Sequence, residues 1–411
     1  MFRGDARHTG IYDAPGVPQF HQVKWKFKTN GRVLSSPAVV GDMVYVGSTD
    51  HNLYAVDRET GAQKWKFRTG SGVVSSPAVT NGIAYFTSYD GNFYAVETES
   101  GKLKWKFKTG GEHRFTAKHI HGAEPSDEAM PDPFDVYLSS PVIWKDAVYF
   151  GSGDGNIYGL DAATGALKWK FQTGNVVHAS PAIADGILYI GSWDTNFYAL
   201  DATTGKEVWR FKTGEDADIH NQEGIQSSAV ITDGIVYFGC RDSNLYALDA
   251  KTGKKIWAFN NKGSWVIVSP TVYQGKIYFG TSDSGKFYAL DAKTGEQQFT
   301  LKFMWLFFSS PSIAGNTLYI GSHWGKVFTV DLTTQKPGWE FQTDASKENA
   351  PAISGTDGNV DYSKFISDNF YDDYLMSVRR MMTVGSFFSS PVIDKNVVYI
   401  GSTDGNLYAL M

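Results

Sequence analysis

Three of the nine histidines fall within one stretch, residues 110–135, and two of them are spaced to share a metal ion. His119 and His121 are separated by one residue, which places two imidazoles on the same side of an extended segment, and imidazole is a common zinc ligand. A third ligand could come from an acid in the same stretch, namely Glu112, Glu124 or Asp127. The alternative is a polar loop, rich in proline and acid, that carries histidine without binding metal.

A second stretch echoes the ligand spacing of a calcium-binding loop. Asp357, Asn359 and Asp361 alternate, and Asp368 follows eleven positions after Asp357. The sixth position is Tyr362, however, where such a loop requires glycine for its turn. The pattern therefore disfavours calcium at this segment.

A third group of side chains could bind a small ligand or transfer protons. Histidine exchanges protons near neutral pH, arginine can contact an anion, and aromatic rings can stack on a planar or sugar-like ligand. The candidates are Tyr89, His113, Arg114, His178, Trp193, Gln226, Arg241, Trp265, Trp305, His323 and Trp324. The alternative is that several of them fill the narrow end of a funnel as packing.

These candidates are positioned by a repeated unit. In the copy at 185–214, DGILYIGSWDTNFYALDATTGKEVWRFKTG, apolar and polar residues alternate within three short runs separated by turns, which predicts half-buried strands. A Ser-Pro run just upstream supplies a fourth strand. Equivalent starts recur eight times, mostly 40 or 41 residues apart, at Pro37, Pro77, Pro141, Pro181, Ala229, Pro270, Pro311 and Pro391. This period is typical of a four-stranded propeller blade.

The ends of the chain together complete one unit. The fourth strand of most units carries a tryptophan, and Phe299 replaces it once. The last unit stops at Met411 before its fourth strand, whereas residues 23–29, VKWKFKT, match that strand at the other end of the chain. We therefore predict an all-β fold, a single eight-bladed β-propeller over residues 1–411. Its blades are four-stranded, and the N-terminal strand completes the last blade and removes the open edge.

The repeat Gly-Ser-x-Asp-Gly-Asn-x-Tyr-Ala-Leu-Asp-x-x-Thr-Gly-x-x-x-Trp-x-Phe resembles the pyrroloquinoline-quinone (PQQ)-type β-propeller repeat. Its clearest copies are 151–171, 191–211 and 239–259. The resemblance is specific for fold and weak for function, because the superfamily includes both quinoprotein dehydrogenases and the non-catalytic propellers of outer-membrane assembly factors. It implies that each tryptophan packs between neighbouring blades with its indole N–H on adjacent backbone. The recurrent hairpin acids and the Asp-x-x-Thr-Gly turns are explained by structural roles, so they are not candidates for an active site.

Three insertions interrupt the regular spacing, at residues 110–135, 214–223 and 344–385. In an up-and-down blade, the blade-to-blade connections share one face with the hairpins between strands two and three. We therefore expect all three insertions to meet most of the candidate side chains on that face, where function is to be sought. The third insertion contains the one helix that the sequence predicts, 363–382, which we expect to cap the mouth. Its apolar positions recur every fourth residue at Ile366, Phe370, Tyr374 and Val378.

Composition narrows the partners and the compartment. The net charge is −5 and no run of Lys or Arg stands out, so nucleic acid binding has no electrostatic footprint. Cys240 is the single cysteine, which excludes an internal disulfide, and no apolar run approaches a membrane span. The first ten residues lack the regions of a signal peptide. We favour a monomer in the periplasm or outside the cell, with a signal segment removed; a cytoplasmic location is the alternative.

We interpret the chain as a non-catalytic propeller, without a cofactor, that binds a small ligand such as a carbohydrate, or a protein partner, on its insertion-bearing face. The alternatives are enzymes that use the same mouth: a hydrolase or lyase, or a PQQ-dependent dehydrogenase with calcium. Many dehydrogenases of the family carry a vicinal cysteine pair, which one cysteine cannot provide. If Trp193 and Arg241 contact the ligand, their replacement by alanine weakens binding and leaves stability nearly unchanged. A large loss of stability assigns both to packing.

Overall fold

Eight four-stranded antiparallel sheets form the blades of a propeller, as the repeat predicts. The computed structural model describes residues 1–118, 129–214, 224–303, 306–356, 361–365 and 370–411. In blades 1 to 7 the four strands follow one another along the chain from the innermost to the outermost position, and in blade 8 the outermost strand comes from the N-terminal part. The apolar residues of facing blades form the core between them.

Blades 1 to 4 are continuous in sequence. The strands of blade 1 are Ala38–Val40, Met43–Ser48, Asn52–Asp57 and Gln63–Arg68. Those of blade 2 are Ala78–Thr80, Ile83–Ser88, Asn92–Glu97 and Leu103–Lys108. Those of blade 3 are Val142–Trp144, Ala147–Gly151, Asn156–Asp161 and Leu167–Gln172. Those of blade 4 are Ala182–Ala184, Ile187–Gly191, Asn196–Asp201 and Glu207–Lys212.

Of the remaining blades, 7 and 8 include strands from the N-terminal segment. The strands of blade 5 are Val230–Thr232, Ile235–Gly239, Asn244–Asp249 and Lys255–Asn260. Those of blade 6 are Thr271–Tyr273, Lys276–Gly280, Lys286–Asp291 and Gln297–Lys302. Those of blade 7 are Ser312–Ala314, Thr317–Gly321, Lys326–Asp331 and Lys336–Gln342, with Ile11–Tyr12 added in parallel to the innermost one. Those of blade 8 are Val392–Asp394, Val397–Gly401, Asn406–Leu410 and Val23–Lys28.

The predicted closure of the ring is confirmed. Val23–Lys28 runs antiparallel to Asn406–Leu410, with Trp25 opposite Ala409. The first and last parts of the chain therefore share one sheet, and backbone hydrogen bonds hold the ring shut.

The repeated tryptophans join neighbouring blades, as the resemblance implies. The indole N–H of Trp169 in blade 3 donates to the carbonyl of Ala202 in blade 4, at 2.9 Å. The same ring covers Gly205, which has a φ of +70° and where a Cβ would lie 2.6 Å from the indole. Glycine is needed there for both reasons. Blade 8 has no such turn, so the indole of Trp339 donates instead to the carbonyl of Val17, at 2.7 Å.

The recurrent hairpin acids also have a structural role. The carboxylate of Asp194 accepts a hydrogen bond from the Tyr198 hydroxyl at 2.6 Å and another from the backbone N–H of Gly174 at 2.7 Å. Gly174 belongs to the connection between blades 3 and 4, so the acid fastens one blade to the next.

A ring of eight serines surrounds the propeller axis. The backbone N–H of each one donates to the Oγ of the serine in the next blade, at 2.8–3.2 Å. Its members are Ser36, Ser76, Ser140, Ser180, Ser228, Ser269, Ser310 and Ser390. They line an axial cavity of about 50 Å³. A cavity of that size holds only a few water molecules.

The N-terminal segment lies across the end of the axis opposite to the insertions. The guanidinium of Arg3, which is 1% exposed, donates to the carbonyls of Pro270 and Pro311 at 2.8 and 3.0 Å. The carbonyls of Ala6 and Gly10 accept from the innermost strands of blades 4 and 7. Phe2 reaches the axial cavity and forms part of its wall.

The third insertion contains two α-helices where the sequence predicted one. The helices are Asp344–Ile353 and Phe370–Met381, with 3-10 turns at Tyr362–Phe365 and Met382–Val384. The first helix escaped prediction because it is mostly polar and contains Pro351, although Thr343 caps it by accepting from the N–H of Ser346. Residues 357–360 and 366–369, which carry Asp357, Asn359, Ile366 and Asp368, lie outside the described residues.

Candidate functional site

The face that carries the insertions is packed with apolar side chains. One buried cluster contains Phe134 of the first insertion, Val136 just after it, and Ile353, Val378 and Met382 of the third insertion. Leu34 and Phe308, which lie just before the innermost strands of blades 1 and 7, belong to the same cluster. Among the described residues, the two insertions thus cover the axis together rather than surrounding an open funnel.

Arg241 is held at the centre of this face by three kinds of contact. Its guanidinium carbon lies 4.2 Å from the ring centre of Trp193 and 4.1 Å from that of Trp265, so the planar group stands between two indoles. Nη1 lies 2.5 Å from the Asp132 carboxylate, and Nη2 donates to the Gln226 side chain at 2.9 Å. Asp132 and Arg241 are both fully buried as side chains.

Gln226 links the same arginine to the first insertion. Its Oε1 accepts from Arg241, and its Nε2 donates to the carbonyl of Phe134 at 3.1 Å. Both ends of the amide are therefore used within the protein.

His178 is a second cation buried at this face. Its Nδ1 lies 2.6 Å from Asp135, and its Nε2 lies 3.5 Å from Glu112, a distance for an ion pair rather than a hydrogen bond. Burial alone would lower the pKa of His178, but the carboxylates of Asp135 and Glu112 outweigh it and raise the pKa to about 10. Glu112 also accepts from the Gly153 N–H at 2.7 Å, and Asp135 from the Phe115 N–H at 2.6 Å. The imidazolium thus fastens the first insertion to the propeller.

His323 lies in an apolar setting instead. Its ring stacks on Phe308 at 4.5 Å and meets Phe388 edge-on at 4.8 Å. Burial lowers the pKa of His323 to about 3, and neither ring nitrogen has a hydrogen-bond partner within the described part of the chain. At neutral pH this histidine is therefore uncharged and packs as an aromatic ring.

The predicted aromatic residues are largely buried. Trp193 is 2% exposed and stacks on Phe115, with ring centres 4.4 Å apart. Trp265 and Trp324 are buried in the apolar cluster of the face. The hydroxyl of Tyr89 donates to the carbonyl of Val136 at 2.7 Å. Ligand binding by these residues stays a prediction. In the structure, their contacts are with the insertions and the segments beside them.

The other predicted residues divide into exposed ones and ones outside the description. His113 and Arg114 are exposed on the first insertion. Trp305, His119 and His121 lie outside the described residues. Across the ranges that the structure describes, no three His, Cys, Asp or Glu side chains group as a metal site.

Sequence reasoning missed the acids that hold the first insertion. Asp132 and Asp135 are 0% exposed, yet they stand in a stretch that resembles a polar loop, PDPFD. The available signal was the type of their sequence neighbours, because each of the two acids lies beside proline or phenylalanine. An acid next to residues that will be buried needs a cation, and Arg241 and His178 are those cations.

Comparison with known proteins places the chain in a family. A family model described as outer membrane protein assembly factor BamB matches residues 21–130 and 133–340. No curated protein matches the sequence. Among solved structures, BamB from Moraxella catarrhalis is 16% identical, with a TM-score of 0.69 over 95% of this chain and 99% of that one.

Two dehydrogenases have the same fold. A europium-containing methanol dehydrogenase is 15% identical, with a TM-score of 0.67, and the match covers 98% of this chain and 90% of that one. Quinohemoprotein alcohol dehydrogenase from Comamonas testosteroni is 13% identical, with a TM-score of 0.72, over 100% of this chain and 79% of that one. These identities show the fold alone. In the described segments, no helix is long and apolar enough to cross a membrane. Because the family model matches most of its length, the chain belongs to the PQQ-like propeller family described as outer membrane protein assembly factor BamB.

Proposed function

We propose that this protein is a non-catalytic propeller that binds a protein partner on its insertion-bearing face. The observation that carries the proposal is the way in which Asp132 and Arg241 lock the first insertion over the axis, above a cavity of about 50 Å³. Ligand pockets for small organic molecules measure roughly 300–1,000 Å³. A surface built from packed insertions is better suited to another protein than to a small ligand.

The two buried histidines also argue against acid–base chemistry at this face. A general base works best with a pKa near the operating pH. The pKa of His178 is raised to about 10 by its carboxylate partners, and that of His323 is lowered to about 3 by burial. Neither is poised for proton transfer near neutral pH, which disfavours the hydrolase or lyase alternative.

The described residues do not fit the PQQ cofactor that the dehydrogenase alternative requires. A fused-ring quinone needs a slot much larger than the axial cavity, and the gap between Trp193 and Trp265 is filled by the guanidinium of Arg241. That guanidinium also has its carboxylate partner within the protein. We therefore assign no step to this cofactor.

The family description suggests the compartment and the kind of partner. Its members are described as assembly factors of the outer membrane. On that basis we propose a periplasmic location and a partner that is itself a protein. The exposed part of the face includes Met376, whose side chain is 44% exposed on the second helix.

Site-specific photo-crosslinking in the native host tests the proposal. A photoreactive residue at Met376 should give a discrete protein adduct that excess unlabelled propeller suppresses. The matched control is Lys395, in a hairpin on the opposite face, which should give none. Equal labelling from the two positions, or no adduct from Met376 or from exposed Arg379, would overturn the proposed face.

A further inference from the structure

Positive charge is concentrated on the outermost strands of four consecutive blades. The outermost strands of blades 8, 1, 2 and 3 read VKWKFK, QKWKFR, LKWKFK and LKWKFQ, with eleven Lys and Arg and no acid. Those of blades 4 to 7 carry five Lys and Arg and two Glu. The whole chain has a net charge of −5, so this basic sector, the outermost strands of blades 8, 1, 2 and 3, contrasts with the rest of the molecule.

The four strands are neighbours around the wall of the propeller. The indole of Trp25 in blade 8 donates to Arg58 of blade 1, and that of Trp65 in blade 1 donates to Thr98 of blade 2. Trp105 of blade 2 reaches blade 3 in the same way. The cations are separated by one residue in the sequence, so no run of Lys or Arg is visible there. The fold aligns them.

Blade 2 presents the most open part of the basic sector. Lys104, Lys106 and Lys108 are exposed and make no ion pair with any residue of the described chain. Alternate residues of a strand project to the same side, about 7 Å apart. Trp105 and Phe107 point the other way and pack between the blades. Leu103, at the start of the strand, is 45% exposed.

Lysine on edge strands has a general use, because it discourages pairing with other chains. That use would be needed equally on all eight blades, since each has an outermost strand. The positive charge is instead concentrated in half of the ring. The asymmetry requires a second reason, and complementarity to an acidic surface supplies one.

We propose that the basic sector binds an acidic, extended segment of a partner protein, which pairs as an added strand along Leu103–Lys108. A strand with Asp or Glu at every second position would place its carboxylates opposite Lys104, Lys106 and Lys108, and opposite charges across a strand pair are favourable. The exposed backbone edge supplies hydrogen bonds, and Leu103 supplies an apolar contact. This surface is separate from the insertion-bearing face, so either proposal can fail alone.

A synthetic peptide with glutamate at alternate positions and valine or threonine between tests the proposal. Fluorescence anisotropy with the full chain should show saturable binding that the triple variant K104E/K106E/K108E weakens about tenfold or more. The variant K255E/K302E/K336E changes charge equally on the outermost strands of blades 5, 6 and 7, and should bind as the unmodified protein does. The neutral variant K104Q/K106Q/K108Q controls for misfolding of the charge-reversed variant K104E/K106E/K108E. It should also lose affinity for the peptide.

Hydrogen exchange distinguishes strand addition from loose attraction. The bound peptide should slow exchange of backbone amides in Leu103–Lys108, and a peptide of equal composition with its glutamates in one block should not. Equal losses in the two charge-reversed variants would overturn the proposal in favour of bulk electrostatics. Binding to vesicles with anionic lipid, or to single-stranded DNA, without binding to the alternating peptide would also overturn it.

Discussion

Arg241 and Asp132 lie 109 residues apart in the sequence and form a fully buried ion pair, with Nη1 2.5 Å from Oδ2. The arginine belongs to a hairpin of blade 5, and the acid belongs to the connection between blades 2 and 3. The pair therefore spans the mouth of the propeller. It makes the first insertion part of the packed structure.

Removing one member of this pair should be costly. Asp132→Ala leaves a buried guanidinium without its carboxylate, and such losses reduce the free energy of unfolding by about 3–5 kcal/mol. Urea denaturation near neutral pH measures the change. The double variant Asp132→Leu, Arg241→Met removes both charges and should recover much of the loss. A single variant within about 1 kcal/mol of the unmodified protein would contradict the burial of the pair.

The stability of a Trp193 variant distinguishes a packing role from a ligand-contacting role. Its ring is 2% exposed between Phe115 and Arg241, so Trp193→Ala should lower the free energy of unfolding by about 3–5 kcal/mol. The sequence alone led us to expect almost no change for a ligand-contacting residue. Thermal or urea denaturation decides between the two expectations, and unchanged stability would return Trp193 to the ligand-binding candidates.

His178 should make stability fall as the pH rises. Its pKa is about 10 in the folded protein and 6.5 as a free side chain, so folding favours the protonated form. The contribution is fully present below pH 6.5 and is lost between there and about 10. His178→Gln should be less stable at neutral pH and show a flatter decline in that window. Urea midpoints across the window measure it, and parallel pH profiles for the two proteins would refute the assignment.

His323 should act in the opposite direction, at acid pH. Its pKa is lowered from 6.5 to about 3, so the unfolded chain takes up the proton first as the pH falls. The contribution to the free energy of unfolding is present above pH 6.5 and is lost as the pH falls from 6.5 to about 3. His323→Phe should make the acid limb of the stability curve, measured by urea denaturation, shallower. His8, whose pKa is also lowered to about 3 by burial and then by Arg3, keeps part of the limb.

Two glycines test the blade-to-blade contact of the tryptophans. Gly205 and Gly234 have φ values of +70° and +75°, but only at Gly205 would a Cβ lie 2.6 Å from an indole, that of Trp169. Both alanine variants carry the backbone strain of a positive φ, about 1 kcal/mol. Gly205→Ala should lose about 1–3 kcal/mol more, because overpacking adds to the strain. Equal losses in urea denaturation would mean that the indole moves aside freely.

The repeat predicted the eight blades and the join between Val23–Lys28 and the last blade, whereas the resemblance to a known repeat implied the role of Trp169 and its equivalents. The blades and the join depend on a strand pattern that recurs along the chain, so local alternation, turn chemistry and the count of copies predict them. The helix Asp344–Ile353 was not predicted, because its polar sequence and Pro351 give no periodic signal.

What only the tertiary structure decided is which candidates meet and what they meet. His178, Trp193 and Arg241 were expected at one face, and their contacts with Asp135, Phe115 and Asp132 of an irregular insertion were not predicted. No periodicity links such residues, since each contact joins segments tens of residues apart. The basic sector shows the same limit, because single lysines between apolar residues become a patch only when four blades align their outermost strands. Side-chain burial and charge clustering are properties of the folded ring, because the residues that produce them are far apart in the sequence.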